Sequence, residues 1–198
     1  MRPRWALGVS GLYTNTRLRF SGSLYADQTR YATLATLAYL PTPKLVLELG
    51  VGAAFAGSLT PPDGDHSFSP GPIGALGLDY RAFDDGHYFL LLTSGFSFSA
   101  ARTHHGGDPA VGYEALDLRL GVQFGVELAR VVRPYAVARA FGGPVFWRYQ
   151  TEAVTGTDTH HYQLGAGLAW RVAKTLNIFA EAIPLGERAL SLGTALAL

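Results

Sequence analysis

Hydrophobic and polar residues alternate most regularly between Leu116 and Leu128. Every second residue in this stretch is large and apolar, and the residues between them are charged, polar or glycine. A period of two predicts a β-strand whose two faces lie in different surroundings. At about 3.4 Å per residue the strand is roughly 40 Å long, beyond an ordinary strand. The pattern predicts a membrane-crossing strand with hydrocarbon outside and a polar, plugged lumen inside.

The same alternation recurs along the chain and predicts ten strands. They cover roughly residues 3–15, 30–40, 45–55, 73–82, 88–100, 116–128, 134–150, 162–171, 176–184 and 188–198. Long connections at 17–29, 60–72, 102–109 and 155–160 alternate with short turns, a pattern typical of bacterial outer-membrane barrels with long external loops. We therefore predict one all-β domain over residues 1–198. It is a transmembrane antiparallel up-and-down β-barrel of ten strands; eight is the alternative if the first two strands are misassigned.

Aromatic residues are expected to form a belt at each membrane–water interface, where amphipathic rings are favoured. The belt near the short turns contains Trp5, Tyr39, Tyr80, Tyr88, Tyr135 and Trp170. The belt near the long loops contains Tyr13, Phe55, Phe98, Tyr113, Trp147 and Tyr162.

Composition narrows the choice of partners and cofactors. The chain is 48% hydrophobic and 16% charged, yet no run reaches the roughly 18 to 20 apolar residues of a membrane helix. A formal net charge of +1 gives no reason to expect nucleic acid. Cysteine is absent, so disulfides and thiolate metal ligands are excluded, and we expect no cofactor.

A soluble antiparallel barrel of the lipocalin kind is the alternative fold, with leucine and phenylalanine inside. Its outer face would then be rich in glycine, alanine and serine. Soluble strand surfaces usually carry lysine, partly to protect sheet edges. The only lysines here are Lys44 and Lys174, both in predicted short turns, which favours the membrane barrel.

The last strand carries the most specific motif, a polar residue, a glycine and two apolar residues at Ser191, Gly193, Leu196 and Leu198. It resembles the C-terminal signal read by the barrel-assembly machinery, although Leu198 stands where an aromatic residue is usual. With the strand pattern, the whole chain resembles the small outer-membrane barrels, OmpA/OmpX-like or porin-like. That resemblance implies a bacterial outer-membrane location, both termini in the periplasm, contact with the bilayer and lipopolysaccharide, and assembly by that machinery.

Charged residues on the polar strand faces are expected inside the barrel. These are Glu48, Asp79, Arg81, Asp117, Arg119, Glu127, Arg139, Arg171 and Glu181. Buried charges persist only when they are paired, so we predict a salt-bridged lumen. A barrel of eight to ten strands is just wide enough for its own side chains, which favours a structural plug over a selective channel lining.

Histidines concentrate in the predicted external loops. A loop site for a metal or another ligand could use His66, His104, His105, Asp108, His160 and His161. Ordinary solvated loop residues are the alternative interpretation. The chain resembles outer-membrane enzymes of this size less well. Omptin proteases use acidic residues and a histidine at the rim. Lipid A deacylases use a histidine and serine pair. His66 with Ser67 or Ser69 would be the pair here, without either family's local motif.

The sequence thus predicts a structural or surface-binding outer-membrane barrel with a largely plugged polar lumen. It would meet an external ligand or protein through its loops. A narrow pore for small solutes is the alternative, and a rim enzyme acting on lipid or peptide is a weaker one.

Overall fold

A computed structural model describes residues 5–129, 131–150 and 152–198. The described residues form thirteen strands. The strands are β1 (Trp5–Phe20), β2 (Tyr25–Thr42), β3 (Leu45–Thr60), β4 (His66–Phe68), β5 (Gly71–Asp84), β6 (Tyr88–His104), β7 (Val111–Val126), β8 (Val132–Gly142), β9 (Val145–Tyr149), β10 (Glu152–Asp158), β11 (Tyr162–Arg171), β12 (Leu176–Gly186) and β13 (Arg188–Ala197). A turn of 3-10 helix, Ser21–Ser23, links β1 to β2. No helix in these ranges is long and apolar enough to cross a membrane.

Ten of the strands form a closed antiparallel ring. Each pairs with the next in the order β1, β2, β3, β5, β6, β7, β8, β11, β12 and β13. Strand β13 then pairs with β1 from Ala197–Ala6 to Arg188–Asn15, which closes the ring. We call the end that carries the connections after β2, β5, β7 and β11 the wide end. The prediction of an antiparallel up-and-down barrel is confirmed.

At the opposite end, which we call the narrow end, the ring contains eight strands. Its order is β1, β2, β3, β4, β6, β7, β9 and β10, and β10 pairs directly with β1 at Leu18–Asp158, Arg19–Thr157 and Phe20–Gly156. The β12–β13 hairpin ends early, at Gly186, and the chain between β10 and β11 passes over it. Because barrel diameter grows with strand number, the barrel tapers toward this end.

Through the ten-stranded ring, apolar side chains point outward and polar ones inward. On β7, Leu118, Leu120 and Phe124 are more than half exposed on the outer face. Asp117 and Arg119, on the opposite face of the same strand, are bonded to one another inside the barrel. This is the arrangement that the alternation predicts, and it leaves a continuous apolar outer surface.

At the narrow end the pattern is inverted. The interior holds a cluster of buried apolar residues that we call the apolar plug. Its members are Leu18, Phe20, Ala26, Leu59, Phe68, Tyr113, Val145 and Trp147. On the outer face of the same strands the side chains are polar, such as Arg17, Arg19 and Asp27. The narrow end is therefore built like a soluble barrel, with its hydrophobic core inside.

This inversion corrects the four predicted long loops, of which 102–109 begins with the end of β6 at His104. Residues 17–29 are mostly strand, since β1 continues to Phe20 and β2 begins at Tyr25. The predicted loops 60–72 and 155–160 likewise contain β4 and the second half of β10. Their outward side chains are polar because they face water, so the sequence pattern made these segments resemble loops. The predicted strand 134–150 is also two strands, divided at Gly143–Pro144. The predicted number of ten strands therefore matches the ring alone, because the described residues form thirteen strands in all.

The aromatic belts are present in part. Near the wide end the rings of Trp5 and Tyr39 lie 4.5 Å apart. Toward the narrow end Tyr13 lies 5.2 Å from Tyr31, which lies 6.5 Å from Phe55. Three assignments were wrong, because Tyr113, Tyr135 and Trp147 occupy inward positions of their strands. Tyr113 and Trp147 are 1% and 2% exposed, and the Tyr135 hydroxyl donates to Glu181 at 3.2 Å.

Candidate functional site

Four of the nine charged residues predicted to lie inside the barrel form two hydrogen-bonded groups in the lumen of the ten-stranded ring: Asp117, Arg119, Arg139 and Glu181. Arg139 on β8 donates twice to the Glu181 carboxylate on β12, at 2.7 and 2.9 Å. Glu181 also accepts from the Tyr135 hydroxyl, and Arg139 lies 3.4 Å from Gln163 Oε1. The ion pair therefore joins β8 to β12 across β11, the strand that lies between them and carries Gln163.

A second group of charges lies around Arg119. This guanidinium donates to Asp117 on its own strand and to Glu187 at 3.2 Å. Gln163 Nε2 donates to the same Glu187 carboxylate at 2.6 Å. Glu187 is 6% exposed and Gln163 is fully buried. Sequence reasoning missed both, because Glu187 follows the turn at Gly186 and Gln163 carries no charge.

The remaining predicted lumen residues are placed differently. Glu127 pairs with Arg133 at 2.6 Å near the wide end, and Arg81 pairs with Asp84 at the end of β5. Glu48 and Asp79 are half-buried on the neighbouring strands β3 and β5. Arg171 is exposed at the last residue of β11. The lumen charges thus form separate groups along the barrel, and Glu48 and Asp79 make no ion pair within the described residues. The functional role of these charges stays a prediction.

A space of about 130 Å³ lies between the Arg119 group and the apolar plug. Arg30 on β2 borders it and donates to Ser99 Oγ at 2.8 Å. Its Nε and Nη2 atoms are buried without a hydrogen-bond partner in the described residues, as is Asp117 Oδ1. A polar space of this size holds several waters, which would satisfy such groups. Arg30 was missed because it lies at the boundary of the predicted loop 17–29.

The apolar plug closes the lumen beyond this space. Arg30 lies under it, 5.3 Å from the Phe68 ring centroid and 5.6 Å from that of Tyr113. The Tyr113 hydroxyl accepts from Gln28 Nε2 at 2.6 Å, and Trp147 Nε1 donates to Thr103 Oγ1 at 3.0 Å. The polar atoms of these two large side chains are therefore hydrogen-bonded inside the plug. Continuing the inward parity of β1 and β7 past the apolar band would have identified Leu18, Phe20 and Tyr113.

The loop histidines do not converge into one site. His66 is buried and stacks on His105 at 4.6 Å, with Asp63 at 3.7 Å. His160 and His161 belong to the connection after β10, and Asp108 is exposed between β6 and β7. In the described ranges no three histidine or carboxylate side chains come close enough to hold a metal ion. The pairing of β4 with β6 brings His66 and His105 together, whereas His160 and His161 lie on a separate connection. Binding of a metal or another ligand by these loop residues stays a prediction.

Burial lowers the pKa of His66 below its ordinary value. The neighbouring Asp63 carboxylate raises this pKa and the His105 ring lowers it, but desolvation is the largest effect. The ring sits edge-on to Trp147, with centroids 5.1 Å apart. His66 therefore packs against the apolar plug through Trp147, in surroundings that disfavour its protonated form.

His104 faces outward and contacts Ser69. Its Nε2 atom lies 2.6 Å from Ser69 Oγ, at the edge where β4 meets β6. A serine nucleophile needs a histidine that is itself oriented by a third group. Within the described chain no carboxylate contacts His104, so the pair is incomplete as a catalytic unit.

The four residues of the predicted assembly signal lie on or just after the closing strand β13. Gly193 pairs with Ser10 and Leu196 pairs with Leu7 on β1. Leu192, Leu196 and Leu198 are exposed on the outer face. These residues form the seam between the two ends of the chain, and their recognition by an assembly machinery stays a prediction.

Comparison with known proteins supports the fold. No family model and no curated protein matches the sequence. The outer-membrane protease OmpT of Escherichia coli is similar in structure, with a TM-score of 0.55 and 9% identity over 97% of this chain and 94% of that one. The β-domain of the Bordetella autotransporter BrkA has a TM-score of 0.53 and 15% identity over 97% and 99% of the two chains. The translocator domain of NalP from Neisseria meningitidis has a TM-score of 0.50 and 11% identity over 98% and 88%. The chain has the fold of an outer-membrane β-barrel.

Proposed function

We propose that this chain is a bacterial outer-membrane protein that crosses the membrane as a closed barrel. It serves as a structural or surface-binding protein and presents its narrow end to the exterior, with both termini in the periplasm. The apolar plug is the observation that carries this proposal. A ring of eight strands filled by buried aromatic and aliphatic side chains leaves no aqueous route through that end.

The outer surface supports the membrane location. A continuous apolar surface of this height would be an aggregation hazard in water but is required in hydrocarbon, where closed barrels satisfy every ladder hydrogen bond. Leu7, Val51, Leu120 and Leu192 on four different strands are each about half exposed or more. The inverted pattern at the narrow end supports the exterior placement, because that segment is built to stand in water beyond the bilayer.

A narrow pore is the second candidate function. The charged lumen favours it, together with a further space of about 110 Å³ near Glu127 and Arg133. The two spaces share no lining residue, and ion pairs such as Arg139–Glu181 occupy the lumen. Conduction would require the apolar plug to open. The closed barrel needs no such change.

The geometry at Ser69 and His104 does not support a catalytic role. These two residues are the nearest approach to a catalytic pair, and they lack an orienting acid. The OmpT structure is that of a protease, but similarity at 9% identity concerns the fold. The surface role would instead depend on the exposed segments between β3 and β4, between β6 and β7, and between β10 and β11.

Sidedness can be tested with single cysteines, because the chain contains none of its own. The Gly107→Cys substitution lies at the narrow end, in open space. The Lys174→Cys substitution lies in the wide-end turn between β11 and β12. A membrane-impermeant maleimide should label the Gly107→Cys variant in intact cells, and the Lys174→Cys variant only after the outer membrane is opened. The reverse pattern, or equal labelling of both variants in intact cells, would contradict the proposed orientation.

A further inference from the structure

We propose that the space between the Arg119 group and the apolar plug binds a small zwitterion, a molecule that carries one carboxylate and one ammonium group. The carboxylate of the ligand meets Arg30 on β2, and its ammonium group meets Asp158 on β10. The site goes beyond the surface role proposed above, because it lies inside the barrel and does not depend on which end faces the exterior.

The charges that border this space are not all neutralised by one another. Five charged side chains line it: Arg30, Arg119, Asp117, Asp158 and Glu187. Arg119 pairs with Asp117 and with Glu187. Arg30 and Asp158 make no ion pair within the described residues. One guanidinium and one carboxylate at the same space therefore lack a partner of opposite charge.

The sheet keeps these two charges apart. Arg30 on β2 is in register with Thr14 on β1, and Asp158 on β10 is in register with Leu18 on the other side of β1. Thr14 and Leu18 are four residues apart, which is about 13 Å along an extended strand. Because both backbones belong to one paired sheet, the two charges cannot move together to form an ion pair. A ligand with opposite charges at its two ends can bridge them.

The two side chains nevertheless border the same layer of the lumen. The Arg30 guanidinium lies 5.6 Å from the centre of the Tyr113 ring, and the Tyr113 hydroxyl accepts from Gln28 at 2.6 Å. Gln28 is in register with Thr16, which donates to Asp158 Oδ1 at 2.9 Å. Side chains on one face of directly paired residues lie about 5 Å apart. A short ligand below the apolar plug can therefore contact both charges.

The volume and the lining limit the ligand to a short molecule. The space of about 130 Å³ is close to that of cavities that hold a benzene ring, so it admits about six non-hydrogen atoms. Leu12 and Phe141 supply an apolar wall for a short carbon chain. Water can satisfy hydrogen-bonding atoms here, but it carries no charge, and buried charges are stabilised chiefly by partners of opposite charge. The ligand class is therefore a short amino acid.

The experiment compares three probes that share a three-carbon chain. 3-Aminopropanoate carries both charges, propanoate carries the carboxylate alone, and propylamine carries the ammonium group alone. Each radiolabelled probe is present while the full chain refolds in detergent, so that it meets the site before the barrel closes. Bound probe is then measured by equilibrium dialysis. The parent should bind one 3-aminopropanoate per chain, at least about tenfold more tightly than either probe with a single charge, because each of those lacks one charge-assisted contact.

The variants R30Q and D158N remove the two ends of the site separately. Each should weaken binding of 3-aminopropanoate by about tenfold. R102Q and D108N are the matched controls, because they remove the same charges from exposed residues of the narrow end that do not line the space. Both controls should stay within about twofold of the parent.

Several outcomes would overturn the site. Absence of bound 3-aminopropanoate from the folded parent would show that water alone fills the space. Equal affinity for propanoate or propylamine would overturn the zwitterion as the ligand class. Equal weakening in the control variants, or none in D158N, would overturn the location. If R30Q fails to fold by circular dichroism, D158N decides alone, because asparagine at that position can still accept the hydrogen bond from Thr16.

Discussion

Arg139 and Glu181 face one another inside the barrel and are joined by two hydrogen bonds, at 2.7 and 2.9 Å. Their side chains are 20% and 11% exposed, so neither charge is fully solvated when its partner is removed. Arg139→Met should therefore lower the free energy of unfolding by about 3 kcal/mol, because it leaves the Glu181 carboxylate with only the Tyr135 hydroxyl. Urea unfolding of the refolded barrel in detergent measures this change.

The double variant R139M/E181M provides the control for that prediction. With both charges gone, no carboxylate is left unpaired, and most of the lost stability should return. If the double variant is as unstable as the sum of both single variants, the two side chains do not act as a pair.

Leu120 tests the lipid-facing surface. Its side chain is 58% exposed at the middle of β7, so Leu120→Arg should make folding into a bilayer less favourable by roughly 2 to 4 kcal/mol. Glu114→Arg places the same residue on the same face of β7, at the polar level of the narrow end, and should cost less than about 1 kcal/mol. Folding into phosphatidylcholine vesicles measures both. Equal costs would show that this face does not meet hydrocarbon at Leu120.

His66 should make the narrow end sensitive to acid. Its pKa in the folded barrel lies below the ordinary 6.5 because the ring is buried. As pH falls through 6.5, the unfolded chain binds a proton that the folded chain does not, so this group's contribution to stability declines until the lower folded pKa is passed. His66→Phe keeps an aromatic ring in place and should lose less stability than the parent between about pH 7.5 and pH 5 in urea unfolding. A variant that loses as much as the parent would remove His66 as the cause.

Much of the fold could be predicted from the sequence because one physical rule governs the ten-stranded ring. Residues such as Leu118 and Leu120 face hydrocarbon, and Asp117 and Arg119 face the lumen, so a period of two is visible without any other information. The tight turns at the wide end are equally visible. Asp85, for example, accepts backbone hydrogen bonds from His87 and Tyr88, as turn-forming aspartates commonly do.

The narrow end was harder to predict because its apolar side chains point inward and its polar side chains point outward, the reverse of the ten-stranded ring. Leu18 and Phe20 point inward and alternate with the exposed Arg17 and Arg19, so polarity alone made the segment resemble a loop. The same error hid Arg30 and the apolar plug. Contacts such as Trp147 with Thr103 join residues 44 positions apart, and no local pattern reveals such a pairing. The missing information was the length of the strands beyond the membrane.

Single-channel current in a planar bilayer shows whether the apolar plug closes the barrel. The parent protein, with insertion confirmed by flotation, should give no discrete conductance steps. The variant F68A/Y113A/W147A removes three large side chains from the plug and should conduct if it folds. The expected result is that the parent shows no current steps and that this variant shows discrete conductance steps. Reproducible, charge-selective steps from the parent would contradict the closed barrel and establish the pore.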